Sequence, residues 1–175
     1  PIQKQKCINS LHTTALKHLG QTVSPILEIS SKSPVELGIQ TSAFNLRVEL
    51  NNGSLTSVES IFQSSKVFKN GGPFKDLLSK PARDSKKDPR LRDSGSLVRF
   101  QCQGRDWPLD PPSLFYDWVY INALHRNKTL SAHILEYQSF TDIEFNPKKQ
   151  VNCQAYSAAL YLSLIHISEP TRRRT

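Results

Sequence analysis

The segment TSVESIFQSSKVF, Thr56 to Phe68, constrains the fold of this chain more than any other. Val58, Ile61, Phe62, Ser65 and Phe68 recur at helical spacing, while Glu59, Gln63 and Lys66 succeed one another at four and three residues. A helix over this segment carries an apolar stripe with a polar row along its edge. Such a row runs along the margin of the buried surface, where clefts are lined. An acid and an amine at that margin point to chemistry, which makes Glu59 and Lys66 candidate catalytic groups with Gln63 beside them. Each also has a plain structural reading. Thr56 with Glu59 three residues on fits a capping box, and a single lysine or glutamine normally lies in solvent.

The rest of the chain narrows the class. At 175 residues it has room for one domain with a sizeable core, and no apolar run approaches the roughly 20 residues of a membrane span. The formal charge of +8 is concentrated in KDLLSKPARDSKKDPRLR, Lys75 to Arg92, which reads as a local anion-binding surface or as a solvated charged loop. Cys7, Cys102 and Cys153 are odd in number, widely spaced and without CxxC, and the histidines show no ligand spacing. The expectation is no disulfide framework, no metal, no cofactor and a reducing cytoplasm.

Periodicity places a helix over Lys4 to Leu19 closing at Gly20, a short strand over Ile26 to Ser30, and a half-buried strand over Phe44 to Leu50 that ends in Asn51-Asn52-Gly53. Leu97 to Cys102 and Arg105 to Leu109 flank Gln103-Gly104 as a hairpin, with Pro108 confining the second strand to an edge or an end. Pro111 and Pro112 open an aromatic helix over Ser113 to Asn127, in which Phe115, Val119 and Leu124 face the core. A short helix over Ser131 to Tyr137, a loop at TDIEFNPKK and a last helix from Asn152 complete an α+β chain, with helices around a small mixed sheet. No G-x-G-x-x-G or G-x-x-x-x-G-K-[ST] phosphate cradle is present.

Three segments together resemble the NADAR superfamily. TSVESIFQSSKVF is similar to T-x-E-H-Y-x-Q-A-x-K-F, with Glu59, Gln63, Lys66 and Phe68 in matching positions; Lys86 to Arg90 resembles A-K-x-x-G-R with Pro89 at the glycine; and Asn152 to Ala155 resembles N-x-L-G with alanine at the glycine. SAFNL, FYDWVYINAL and FTDIEFNPKKQVNCQA are similar to the branch of NADAR antitoxins that accompany DarT-type ADP-ribosyltransferase toxins. The resemblance runs from about Ser30 to Leu160. LSLIHISEPTR near the C-terminus resembles a translated sequencing adapter, and the chain begins at Pro1 without a methionine. The expected organisation is an N-terminal segment over 1–29 cut from a longer protein, a NADAR-like catalytic domain over 30–161 and a foreign tail over 162–175.

The resemblance implies an α+β NADAR fold and an N-glycosidase that removes ADP-ribose from guanine bases in DNA, opposing a DarT-type toxin; a monomer is expected. It also implies roles. Lys66 is the nucleophile and Glu59 the proton shuttle, with Asp142 or Glu144 as a second carboxylate. Lys86 and Arg90 grip the pyrophosphate, and Ser42, Phe44, Asn45, Gln63 and Asn152 hold the nucleoside. Ser60 stands where the family signature has histidine, and FTDIEFNPKK replaces a W-G-x-G loop. Both departures favour the antitoxin branch over members acting on riboflavin-pathway intermediates; a non-catalytic module binding ADP-ribose or nucleic acid is the other alternative.

Overall fold

A computed structural model describes residues 2–19 and 25–168 of the chain. The elements in order are α1 (Ile2–Leu19), β1 (Ile26–Glu28), α2 (Glu36–Gln40), β2 (Arg47–Glu49), β3 (Leu55–Ser57), α3 (Val58–Ser64), β4 (Lys66–Phe68), a 3-10 turn (Lys75–Ser79), α4 (Ala82–Lys87), α5 (Arg90–Asp93), β5 (Leu97–Cys102), β6 (Arg105–Trp107), α6 (Leu114–Arg126), α7 (Lys128–Ile134), β7 (Ser139–Thr141) and α8 (Gln154–Ser168). The chain is α+β, with its described strands distributed over three small sheets: β1-β7, β2-β3 and β4-β5-β6. It divides into two compact units, Ala43–Ala123 and Pro1–Ser42 with Leu124–Thr175. Gly20 and residues 169–175 lie outside the described residues, and 162–168 continue α8.

In the Ala43–Ala123 unit, β2 and β3 form a hairpin through Leu50 to Ser54. Asn52 Oδ1 accepts from the Ser54 amide at 3.1 Å, and Gly53 takes a positive φ of 79°, the turn chemistry that Asn-Asn-Gly announces. The second hairpin joins β5 to β6, with Gln103 and Gly104 both at positive φ, 51° and 77°, as the two-residue turn of a twisted hairpin requires. β4 adds to the other edge of β5, pairing Lys66 with Phe100. The core between this sheet and the helices is aromatic. Phe62 meets Phe100 at 5.2 Å between ring centroids and Tyr116 edge-on at 5.2 Å, and Phe100 stacks on Phe115 at 4.7 Å, separations typical of favourable aromatic pairs. Phe115, Tyr116, Val119 and Tyr120 are all buried, whereas Trp118 stays half-buried against Trp107.

In the other unit, β1 and β7 pair in parallel, Leu27 opposite Phe140. The buried acid Glu28 organises the end of β7 and the turn beyond it. Its carboxylate accepts from the Thr141 hydroxyl at 2.5 Å and the Ile143 amide at 2.8 Å, and His12 Nε2 lies 2.8 Å from the same hydroxyl. Because Thr141 gives its proton to Glu28, His12 must donate to the Thr141 oxygen. Asp142 then closes the start of α8, accepting from the Gln154 amide and side-chain nitrogen at 3.3 and 3.1 Å.

No described helix is long and apolar enough to cross a membrane. Among the described residues, Cys7, Cys102 and Cys153 are free thiols.

Candidate active site

The helix expected over Thr56 to Phe68 is shorter, and its shape decides the site. Thr56 belongs to β3 and spends its hydroxyl on the Leu78 carbonyl at 2.8 Å. Ser57 is the cap instead, its Oγ accepting from the Ser60 amide at 3.0 Å. The Val58 and Glu59 amides donate to the Leu46 and Ala43 carbonyls at 3.1 and 2.9 Å. The capping-box reading of Glu59 therefore fails: neighbouring groups already satisfy the first turn, and the Glu59 carboxylate is turned to other partners. At the far end, the Ser64 and Ser65 hydroxyls both donate back to the Ile61 carbonyl, at 2.9 and 2.7 Å. Such bonds compete with helical continuation, and the chain leaves α3 for β4 at Lys66. Lys66 reaches the site from a strand, not from the helix.

Every residue of α3 from Val58 to Ser64 is buried, so each polar group on it needs a partner or becomes costly. Ser60 is fully satisfied: its Oγ donates to the Lys80 carbonyl at 3.1 Å and accepts from Ser57 Oγ at 2.9 Å and Ser85 Oγ at 3.2 Å. This hydroxyl chain fastens α4 to α3. Glu59 is 5% exposed, and its Oε1 accepts from Gln63 Nε2 at 2.9 Å, the bond that the four-residue spacing predicts, and lies 3.6 Å from Lys86 Nζ. Gln63, also 5% exposed, has its Oε1 buried with no hydrogen-bond donor. An orphaned acceptor of this kind costs about 1–3 kcal/mol, and it sits next to the buried acid.

Lys66 rests its ammonium 4.8 Å from the centre of the Phe62 ring. Burial lowers its pKa to about 8; the Glu59 charge opposes the shift and the Lys86 charge adds to it. A lysine in this state is neutral often enough to act as a nucleophile near neutral pH. Lys86, on the last turn of α4, lies 5.1 Å from the Phe44 ring centre. Phe44 stands in the loop whose Ala43 and Leu46 carbonyls hold the first turn of α3, and Asn45 comes next in the chain, exposed. Glu59, Gln63, Lys66, Lys86 and Phe44 thus form one cluster built by α3, β4, α4 and the loop before β2.

Arg90 departs from the expected pyrophosphate grip. Four of its five N–H groups are already given to carboxylates: Nε to Asp88 Oδ1 at 2.8 Å, Nη2 to Asp88 Oδ2 at 2.9 Å and Asp76 Oδ2 at 2.6 Å, and Nη1 to Asp76 Oδ1 at 3.1 Å. Its guanidinium also lies 4.5 Å from the Phe74 ring centre. The bonds from Arg90 hold Asp88 well below the usual carboxylate range, with Lys80 contributing at 3.0 Å. Arg90 is a clamp joining the 3-10 turn to α5. The sequence did not single out Asp76, Asp88 or Lys80, although their spacing from Arg90 within one charged run offered the signal.

The remaining expected site residues, Ser42, Asp142, Glu144 and Asn152, belong to the other unit, and the first three have structural partners there. Asp142 caps α8; burial raises its pKa against the opposing effect of the Gln154 bond. Glu144, despite the upward push of burial, is kept acidic by Lys4 at 2.9 Å and accepts from Ser31 Oγ at 3.1 Å. Ser42 is buried and donates to the Ile39 carbonyl at 2.6 Å. Asn152 keeps a buried Oδ1 with no hydrogen-bond donor.

No curated protein matches the chain. Over residues 1–170 it matches the sequence profile described as the DarT1-associated NADAR antitoxin. The signature acid, amide and amine meet around Glu59, and the profile spans nearly the whole chain, so this protein belongs to the NADAR-DarT1 family of antitoxins.

Proposed function

We propose that this protein is an N-glycosidase that removes ADP-ribose from modified guanine bases in DNA and so reverses the action of a DarT-type toxin. The observation that carries the reading is a buried carboxylate, Glu59, whose charge acts on Lys66, an amine whose pKa burial lowers to about 8. The two are the acid–base and nucleophilic halves of glycosidic bond cleavage.

The reaction begins with neutral Lys66 Nζ attacking ribose C1′. The bond from C1′ to the base nitrogen breaks and its electron pair leaves with guanine; Glu59 takes the proton that Nζ loses and hands it to the departing nitrogen. The sugar ring then opens to an iminium on Lys66, the C1′–O4′ electron pair going to O4′, which takes up a proton. Water adds to the iminium carbon and gives up a proton in its place. The carbinolamine so formed passes its hydroxyl proton through Glu59 to Nζ, and Lys66 departs as the neutral amine, releasing ADP-ribose as the aldehyde that recloses. The Gln63 Oε1 acceptor is free to receive a ribose hydroxyl or a guanine N–H, which would relieve the cost of leaving it unpaired.

The test is direct. Duplex DNA carrying ADP-ribosyl-guanine is incubated with the protein and the products are separated; released ADP-ribose supports the reading. Borohydride trapping during turnover should give a covalent adduct in the wild type and none in Lys66→Ala. Cleavage of a pyrimidine intermediate of riboflavin synthesis, with the modified DNA left intact, would overturn it.

A further inference from the structure

With Arg90 bound to Asp76 and Asp88, the phosphates of an ADP-ribose-like substrate need other cations. The structure offers them in a recess of about 440 Å³ lined by Lys86, Lys87, Asp88, Leu91 and Arg92. Lys86 marks its inner end, since its amine lies 3.6 Å from Glu59. Lys87, beside it on the last turn of α4, and Arg92 on α5 are exposed, and neither has an ion pair among the described residues. The single acid in the lining does not offset them. Asp88 is 8% exposed, and its two oxygens take bonds from Lys80 and Arg90, so its charge is already neutralised. The recess therefore presents uncompensated positive charge from Lys87 and Arg92, and it starts at the acid assigned to the glycosidic bond.

We infer that Lys87, at a variable position of the signature segment, and Arg92, beyond it, form the diphosphate subsite of this enzyme, with Arg90 acting as the clamp that shapes it. The inference rests on the glycosidase reading above. Its chemistry is that of a dianion between two cations: Arg92 supplies a forked donor for phosphate oxygens and Lys87 a compact ammonium. The same chemistry would suit a backbone phosphate of DNA, and the two sources separate experimentally.

Titration calorimetry with free ADP-ribose, and fluorescence anisotropy with an unmodified DNA duplex, would be run on wild type, Lys87→Ala, Arg92→Ala and Arg92→Glu. Both residues are exposed, so circular dichroism and Tm should match wild type. The expected result is a loss of about tenfold in ADP-ribose affinity for each alanine variant, the effect of one charge-assisted hydrogen bond, with a larger loss for Arg92→Glu. On ADP-ribosylated DNA the same variants should raise KM and leave kcat within twofold. Equal ADP-ribose affinity in wild type and variants overturns the subsite while leaving the glycosidase reading intact. Weakened duplex binding with unchanged ADP-ribose affinity overturns it too, assigning the recess to the DNA backbone. Failure of the wild type both to bind ADP-ribose and to cleave the modified DNA removes the glycosidase reading itself, and the subsite with it.

Discussion

Gly72 lies against the backbone of Lys66. A Cβ at Gly72 would come 2.3 Å from the Lys66 carbonyl oxygen and 3.3 Å from Val67 Cα, and the residue holds a φ of 87°. Both the space and the conformation require glycine. Gly72→Ala should push β4 away from its place and cost on the order of 1–3 kcal/mol. The expected outcome is a lowered Tm together with a larger proportional loss of turnover than destabilisation explains, measured on protein kept well below its Tm.

On the proposed mechanism the pH dependence of turnover is set by Lys66, whose neutral form acts as the nucleophile. With a pKa of about 8 the neutral fraction grows as pH rises. The rate should therefore climb about tenfold per pH unit on the acid side of about 8 and level off above it. A profile that falls through this range would contradict the assignment.

Lys66→Met should abolish turnover and stabilise the fold at neutral pH. The folded pKa lies below the unfolded one, from 10.5 to about 8, so the unfolded chain binds the extra proton between those values. Wild-type stability must rise with pH across that window, and below it the buried charge costs on the order of 3 kcal/mol. The variant should show a higher Tm at pH 7 and lose this slope, read by denaturant melts at several pH values.

Glu59→Gln should reduce turnover by roughly 10²–10⁴-fold, the range for losing a general acid–base group. Ser57, not Glu59, caps α3, so the helix keeps its first turn. Circular dichroism and single-turnover kinetics on the same preparation would check both halves.

Arg90→Ala should make the protein more sensitive to acid and to heat. Arg90 holds the Asp88 pKa below its ordinary value. A carboxylate shifted this way stabilises the fold above its unfolded pKa, and that contribution is lost as pH falls toward the folded one. Without Arg90 the folded pKa moves back toward the unfolded one, most of this contribution disappears, and the fold enters the acid range with a smaller margin. The acid-unfolding midpoint of Arg90→Ala should accordingly move upward, monitored by tryptophan fluorescence.

Much of this architecture is legible in the sequence where local chemistry decides. The alternation in RVE and the Asn-Asn-Gly turn announce β2 and its hairpin, Gln103-Gly104 announces the second, and the Glu59 to Gln63 spacing gives a real hydrogen bond. Long-range bonds decide the rest. Nothing local distinguishes Thr56 from Ser57 as the cap; the Leu78 carbonyl claims the threonine. Periodicity carries a helix through Lys66, but Ser64 and Ser65 close it early and a strand partner at Phe100 takes the chain over. Arg90 reads as a phosphate ligand until Asp76, fourteen residues upstream, is folded against it. Glu28 draws no attention in the sequence because its partners, Thr141 and Ile143, lie 113 and 115 residues away.

The serine hydroxyls running from Ser57 through Ser60 to Ser85 make α3 and α4 a single piece. Glu59 sits on the first of these helices and Lys86 and Lys87 on the second, so the distance from acid to cations is a fixed length of the scaffold and not a property of flexible loops. The protein in effect carries a ruler. On the proposed reading, a ligand whose scissile bond and phosphates match that length meets both ends at once, and one shortened by a phosphate satisfies only one end at a time.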